Sequence, residues 1–296
     1  MHLPSYVLVT PARNEAGFID QTIQSVISQT KRPVRWVVVS DGSTDATDSI
    51  VAAYAREHEW IRLVRRVRSG ERSFGAKVLA FNEGYAELHG LGYEVIGNLD
   101  ADITFAPDYL EFLMEKFAED PRLGVAGTPF VEDGAERYDY RFSSIEHVSG
   151  ACQLFRRECF EDIGGYVPVR PGGVDLVAVL KARMKGWRTR TFVEKTCTHQ
   201  RSMGTAKHSP LMVALMGGHG DYILGSHPLW ELSRCIYQTT KRPIVAGGLL
   251  RLAGYTWAMM SRVDKAVPPE LARFRQMEQL QRLRRFFAWR ARLQDQ

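Results

Sequence analysis

The first hundred residues constrain the fold most, because short apolar runs alternate there with stretches of helical period. Tyr6-Val7-Leu8-Val9-Thr10, Trp36-Val37-Val38-Val39-Ser40, residues 61–64 and residues 93–99 read as strands rich in β-branched side chains. Between them Ile19, Ile23, Val26 and Ile27, then Ile50, Val51 and Tyr54, then residues 74–88 follow helical spacing. Such alternation predicts an α/β fold with a mostly parallel, Rossmann-like sheet and helices on both faces. The pattern continues with a helix over 107–119, a strand over 123–130, an extended stretch at 150–155, a helix over 175–185 and a strand over 189–193. One α/β unit over residues 1–203 is expected, followed by a helical, apolar and basic extension over 204–296.

Several strand ends are polar, and an open α/β sheet exposes its ligands at the carboxyl ends of its strands. The fourth run ends in Gly97-Asn98-Leu99-Asp100-Ala101-Asp102. Two carboxylates around a small alanine repel each other and resist burial unless a cation or a donor answers them. Oxygen ligands of this kind suit Mg²⁺ or Mn²⁺, which also take oxygens from a bound phosphate. The plain alternative is a solvated acidic turn leading into the next helix. The second run ends in Asp41-Gly42-Ser43-Thr44-Asp45. There Asp41 can accept from a base N–H or a ribose hydroxyl, or form an Asx turn. Lys77 is a compact charge suited to a phosphate or to solvent.

Composition removes other classes. At 296 residues, 45% hydrophobic and 25% charged, the chain can bury a sizeable core and is not dominated by disorder. No Gly-rich phosphate loop follows a strand, which points away from dehydrogenases and P-loop ATPases. Cys152, Cys159, Cys197 and Cys235 are scattered without zinc spacing and fit a reducing cytosol. The start runs almost directly into a strand, without a basic-then-apolar targeting segment.

Taken together, Pro11-Ala12-Arg13-Asn14-Glu15, Asp41-Gly42-Ser43-Thr44-Asp45, Gly75 to Gly84, Asp100-Ala101-Asp102, and Gly164-Gly165 through Gly186-Trp187 resemble the family 2 glycosyltransferases. The resemblance covers roughly residues 5 to 203 and extends to bacterial cell-surface polysaccharide glycosyltransferases. It implies a GT-A fold and inverting, divalent-cation-dependent transfer of one sugar from a UDP-, GDP- or dTDP-sugar to an acceptor hydroxyl. By resemblance, Pro11, Ala12, Glu15, Asp41, Lys77, Asp100 and Arg201 meet the donor, Asp102 and His199 hold Mg²⁺ or Mn²⁺, and Asp175 is the general base. Two positions depart from the family pattern: Ser40 stands where a first Asp precedes Asp41, and Val174 where a Glu precedes Asp175. Asp175 also suits a plain helix N-cap. A nucleotidyltransferase is a competing reading, but Arg13 alone is a poor match to its basic loop; a noncatalytic nucleotide-binding protein is another.

The last ninety residues have a different texture. Residues 211–224 and 243–260 are apolar and punctuated by glycine, and Arg251 interrupts the second stretch. In the basic final helix Leu271, Phe274, Met277, Leu280, Leu283, Phe286 and Phe287 recur at threes and fours, opposite Arg275, Arg282 and Arg285. An interfacial hairpin on the inner face of the cell membrane is expected, with Trp257 and Trp289 suited to that boundary. It would place a cytoplasmic enzyme beside a lipid-linked saccharide acceptor, or beside a polyprenyl phosphate. A homodimer through the final helix is the alternative use of its apolar stripe. No recognisable module for nucleic acid accompanies the arginines.

Overall fold

The computed structural model describes residues 2–67, 74–132, 144–169, 172–201, 209–241 and 244–294. The chain forms two compact units, Met1–Pro168 with Val174–Ser202, and Val169–Gly173 with Met203–Gln296.

The first unit begins as strict alternation: β1 (Tyr6–Ala12), α1 (Ile19–Ile27), β2 (Arg35–Asp41), α2 (Thr47–Glu57), β3 (Ile61–Arg66), α3 (Phe74–Ala86) and β4 (Val95–Leu99). It continues with β5 (Ile103–Thr104), α4 (Tyr109–Glu119), β6 (Leu123–Gly127), β7 (Phe130–Glu132) and β8 (Cys152–Arg156). It ends with α5 (Arg157–Asp162), α6 (Val174–Met184), β9 (Arg188–Thr191) and β10 (Cys197–His199). The single strand expected over 123–130 is two, because the chain leaves the ladder at Thr128-Pro129, and proline offers no N–H to continue it.

Among the described residues, seven strands form one sheet in the order β3-β2-β1-β4-β8-β6-β9. The neighbours from β3 to β4 are parallel, as are β6 and β9. β8 is antiparallel to both β4 and β6. The sheet is therefore mixed, a Rossmann-like half extended by a reversed strand, as in a GT-A-like fold. Reversal brings the start of β8 to the carboxyl end of β4, where Asp100 N donates to Ala151 O at 2.9 Å.

Both faces of the parallel strands are covered. Tyr6, Leu8, Trp36, Val38, Val95 and Leu99 pack with Ile19 and Ile23 of α1 and Leu113 and Phe117 of α4. Val7, Val9, Val37, Val39 and Ile96 pack with Val78 and Phe81 of α3, Phe160 of α5 and Val179 of α6. Burial on two sides explains why these strands read as unbroken apolar runs.

A second, three-stranded sheet in the order β5-β10-β7 has strands of two or three residues, too short for periodicity to register. It pairs Thr198 with Thr104 and His199 with Ile103.

The second unit holds α7 (Pro210–Ile223), α8 (Pro228–Gln238), α9 (Ala246–Met260) and α10 (Pro269–Gln294). Ser209 and His227 accept from the first turns of α7 and α8, each just ahead of a proline at the first helical position. α7 and α9 press backbone against backbone. A Cβ on Gly218 would stand 1.8 Å from the Arg251 carbonyl oxygen, and one on Gly254 2.1 Å from that of Leu215.

The interior of this unit is ionic as well as apolar. Asp221 accepts from Arg234 and Arg275, each at 3.1 Å, and from Arg251. Arg251 Nε also donates to Glu231 at 2.7 Å. Arg275, expected on the polar side of the last helix, is only 7% exposed. The buried Asp221 needs counter-charges, so Leu271, Arg275 and Gln279 make the inward face of α10. Pro243 and the side chains of Phe287 and Trp289 lie outside the described residues. No helix among the described residues is long and apolar enough to cross a membrane.

Candidate functional site

The strand order reverses between β1 and β4, and the carboxyl ends of β1, β2 and β4 border that point. Pairing sets Ala12 beside Ser40, and Asp41 beside Arg66. Arg66 Nη1 donates to Asp41 Oδ1 at 2.9 Å while its Nε donates to Glu83 Oε2 at 3.0 Å. Gly42, at φ +65°, supplies the left-handed turn that ends β2. The loops after β1 and β2 are tied together. Asn14, itself at φ +53°, accepts from Thr44 N at 2.8 Å; Asp45 accepts from Ala16 N at 3.1 Å; and Thr47 Oγ1 accepts from Glu15 N at 2.8 Å. These bonds hold Pro11, Ala12 and the buried Glu15 along one edge with Asp41.

The acidic turn follows β4 directly. Because β5 starts at Ile103 and pairs His199 with it, the imidazole arrives beside Asp102. Gln200 N donates to Asp102 O at 2.9 Å, fixing the turn. His199 Nε2 lies 3.7 Å from Asp102 Oδ1, with both residues buried. That separation is too long for a hydrogen bond. It suits two ligands of one small cation, whose donor atoms at about 2.1 Å from the ion stand roughly 3 to 4 Å apart. One ligand atom from each of Asp100, Asp102 and His199 lies within 4.8 Å of the others. His199 Nδ1 meets the carbonyl oxygen of Arg201. A proton on Nδ1 leaves the Nε2 lone pair facing the carboxylates, the tautomer a metal ligand needs. Two carboxylates and one imidazole fit Mn²⁺ or Mg²⁺, and the imidazole fits Mn²⁺ better. Burial raises the Asp102 pKa; His199 and Arg201 oppose the rise and Asp100 adds to it, so an added cation would relieve a carboxylate held uncomfortably.

Three basic or amide groups complete the edge. Arg201 Nη2 donates to Glu15 Oε2 at 2.5 Å, its Nε stands 3.8 Å from Asp102 Oδ2, and its guanidinium lies over the Phe18 ring at 5.0 Å. Lys77 Nζ donates to Asp100 Oδ1 at 2.6 Å. Desolvation opposes the lysine charge, but Asp100, with Asp175 and Asp102 behind it, holds its pKa above the ordinary lysine value. Asn98, buried, donates from Nδ2 to both Asp100 Oδ1 at 3.2 Å and Gly150 O at 2.7 Å.

Gly150 connects the acidic turn to Asp175. A Cβ there would lie 3.1 Å from Asp175 Cβ and 3.6 Å from its Oδ2. The absent side chain lets the first turn of α6 lay its carboxylate on the start of β8, next to the residue that Asn98 binds. Asp175 is half-buried and lies inside the first turn of α6, which starts at Val174. The four cysteines are free and buried, and burial pushes the Cys159 thiol up to about 12.

The fold thus brings Asp100, Asp102, His199, Arg201, Glu15 and Lys77 into one contiguous set of contacts, with Asp175 reached through Gly150 and Asn98. Asp41, Pro11 and Ala12 share the strand edge with that set, on its β2 side. Arg66, Asn98, Phe18 and Gly150 were not singled out from the sequence. Arg66 could have been, as the residue closing the third strand two positions beyond its apolar run.

An α/β sheet with an acidic turn at its switch point, a histidine beside that turn and two basic side chains next to it is a site able to hold a divalent cation together with a phosphate-bearing ligand. Residues 7–144 match the family described as Glycosyl transferase family 2. The match lies wholly within the α/β unit, which is thus similar to the family 2 glycosyltransferases. The chain is similar to the poly-beta-1,6-N-acetyl-D-glucosamine synthase of Staphylococcus epidermidis, 25% identical over 170 residues that span 51% of this chain and 39% of that protein. It is 30% identical over 149 residues to the probable glycosyltransferase YdaM of Bacillus subtilis, spanning 49% of this chain and 34% of that one. The matched region thus spans well under half the length of these relatives. Among solved structures, the mannosyltransferase PcManGT of Pyrobaculum calidifontis, in complex with GDP-Man and Mn²⁺, aligns with a TM-score of 0.57 at 21% identity, covering 92% of this chain and 78% of that one. S. aureus TarS in complex with UDP-GlcNAc aligns with a TM-score of 0.55 at 17% identity, covering 87% and 73%. At these identities the likeness is one of fold.

Proposed function

We propose that the chain is an inverting, metal-dependent glycosyltransferase that moves one sugar from a nucleotide diphosphate-sugar to an acceptor hydroxyl in polysaccharide synthesis. The observation that carries this reading is the convergence of Asp100, Asp102 and His199 at the carboxyl edge of the sheet, beside Asp41 on one side and Asp175 on the other.

In this reading Asp102 and His199 hold Mn²⁺ or Mg²⁺, and the ion supplies charge neutralisation to the departing diphosphate. Asp41 and Arg66 offer an acceptor and a donor to the nucleobase, with Pro11, Ala12 and Glu15 lining the same edge. Asp100 takes the ribose side of the donor, while Lys77 and Arg201 meet the diphosphate; the guanidinium fork of Arg201 suits two phosphate oxygens. Asp175 accepts the proton of the acceptor hydroxyl as that oxygen attacks the anomeric carbon from the face opposite the leaving diphosphate. Residues 1–203 carry this chemistry. Similarity to a polysaccharide synthase supports a glycan acceptor. We place that acceptor on a lipid carrier at the inner face of the cell membrane, with a polyprenyl phosphate as the simpler alternative.

The test is a binding and turnover screen of UDP-, GDP- and dTDP-sugars with Mn²⁺ or Mg²⁺ and a chelator control. One donor class binds in a cation-dependent way, and Asp102→Ala abolishes that dependence. Asp175→Asn keeps donor affinity and lowers transfer by about a hundredfold or more. Transfer by Asp175→Asn at the normal rate removes Asp175 as the base. Binding without turnover to any hydroxyl acceptor favours a noncatalytic role.

A further inference from the structure

The second unit contains a surface that the sugar-transfer reading does not use. α7 and α9 carry one charged residue each, Asp221 and Arg251, and these two are paired with each other in the interior. The outward sides are left uncharged and strongly apolar. On α7, Met212 and Met216 are 45% and 50% exposed, and on α9, Leu249, Trp257 and Met260 are 58%, 61% and 81% exposed. Met212, Met216 and His219 fall on one face of α7, and Leu249, Ala253, Trp257 and Met260 on one face of α9. The two faces meet where the His219 and Trp257 rings lie 5.4 Å apart, so they form one continuous surface. Soluble monomers rarely leave a contiguous patch of this kind open to water.

What lies at its border decides the occupant. Directly after α9, the exposed Arg262 and Lys265 follow Met260, and Lys265 Nζ stands 5.8 Å from the Tyr222 ring of α7. Lys265 and Arg273 line one cleft with Val263 and Val267, where the exposed Asp264 is the one acidic side chain against these two cations. Over residues 209–296 there are thirteen Arg and Lys against six Asp and Glu, whereas residues 1–208 hold twenty-six against twenty-eight. The chain's positive charge is thus concentrated in the unit that exposes the apolar face. An uncharged apolar face carrying a tryptophan and rimmed by cations matches the boundary between acyl chains and anionic headgroups.

We propose that the α7–α9 face docks on a bilayer containing anionic phospholipid, lying in its interfacial plane without crossing it. The apolar stripe enters the acyl boundary while Arg262, Lys265 and Arg273 meet the phosphates. Lipid binding needs no nucleotide, so its test is independent of the donor chemistry proposed above.

The test is co-flotation of the full chain with vesicles of phosphatidylcholine, with and without phosphatidylglycerol, in the absence of nucleotide. The wild type floats with the anionic vesicles, and salt weakens the association. Met216→Ser combined with Leu249→Ser and Trp257→Ser lowers the partition by at least about tenfold, and Lys265→Glu with Arg273→Glu removes the preference for phosphatidylglycerol. Circular dichroism and the thermal transition guard against misfolding, since the replaced apolar groups are exposed. Brominated lipid quenches the tryptophan emission of the wild type, and Trp257→Phe loses part of that quenching. If wild-type protein stays unbound with both vesicle types, the proposal is overturned. It is equally overturned if the triple variant floats as well as wild type, or if the substitutions only convert a dimer into a monomer by sedimentation.

Discussion

Single residues in this chain are held in states that only their neighbours explain. Glu231 is fully buried, Arg251 meets one of its oxygens, and the other finds no partner among the described residues. Burial, reinforced by Asp221, pushes its pKa from the ordinary 4.5 up to about 7, with Arg251 and Arg234 opposing. Between those two values the folded chain keeps a proton that the unfolded chain has lost. Stability therefore falls as pH rises from 4.5 toward 7 and stays lower above it. Replacing Glu231 with Gln preserves an acceptor for Arg251 and removes the titration. Thermal unfolding across that window should show a flatter pH slope in the variant and a higher melting temperature than wild type above pH 7. An unchanged slope would place the titration elsewhere. Asp221 has the opposite sign: against the cost of burial, Arg234, Arg251 and Arg275 hold it below the ordinary carboxylate value, so its contribution is lost only in acid.

Among elements, the contact between α7 and α9 makes a controlled comparison inside one helix. Gly218 and Gly220 are both glycines of α7, yet a Cβ on the first meets the Arg251 backbone and one on the second meets nothing within 4 Å. Gly218→Ala should cost about 2 kcal/mol or more because backbone atoms must separate, whereas Gly220→Ala should be neutral or stabilise by up to about 1 kcal/mol through helix propensity. Denaturant titration of both variants measures the difference, and equal effects would contradict so close a helix contact. Element by element, what the sequence disclosed follows from length and burial. β1, β2 and β4 were legible because burial on both faces forces continuous apolar runs. β5, β7 and β10 were not, since two or three residues carry no period, and they are what seat His199 beside Asp102. His199 and Arg201 were reached through resemblance, and the chain itself offered only a His-Gln-Arg loop. Gly150 was invisible for another reason: its role is to have no side chain beneath Asp175, and only the antiparallel placement of β8 gives that role meaning. Arg275 was misplaced because helical periodicity sorts apolar from polar and does not register that a buried carboxylate will draw an arginine inward.

At the scale of the whole molecule, chemistry and charge are divided. Every residue assigned to donor, metal or base lies in residues 1–203, and the excess of positive charge lies beyond residue 208. Each unit has its own reason to be folded, one a two-faced sheet and the other helices closed over Asp221 and its arginines. Ligands that bind only the folded state slow local opening where they bind. Hydrogen exchange on the full chain can therefore read the division directly. Mn²⁺ with the matching nucleotide diphosphate should slow exchange at residues 11–16, 41–47, 98–102 and 198–201, the segments that carry Glu15, Asp41, Asp102 and His199. Anionic vesicles should slow it in α7 and α9 and leave those segments as they were. Because the Asp102 carboxylate is held raised by burial, its response should need the cation as well as the nucleotide, and a chelator should reverse it. Protection of α7 and α9 by nucleotide alone would show that the apolar face answers to the donor, and the division into a chemical unit and a lipid-facing unit would fail.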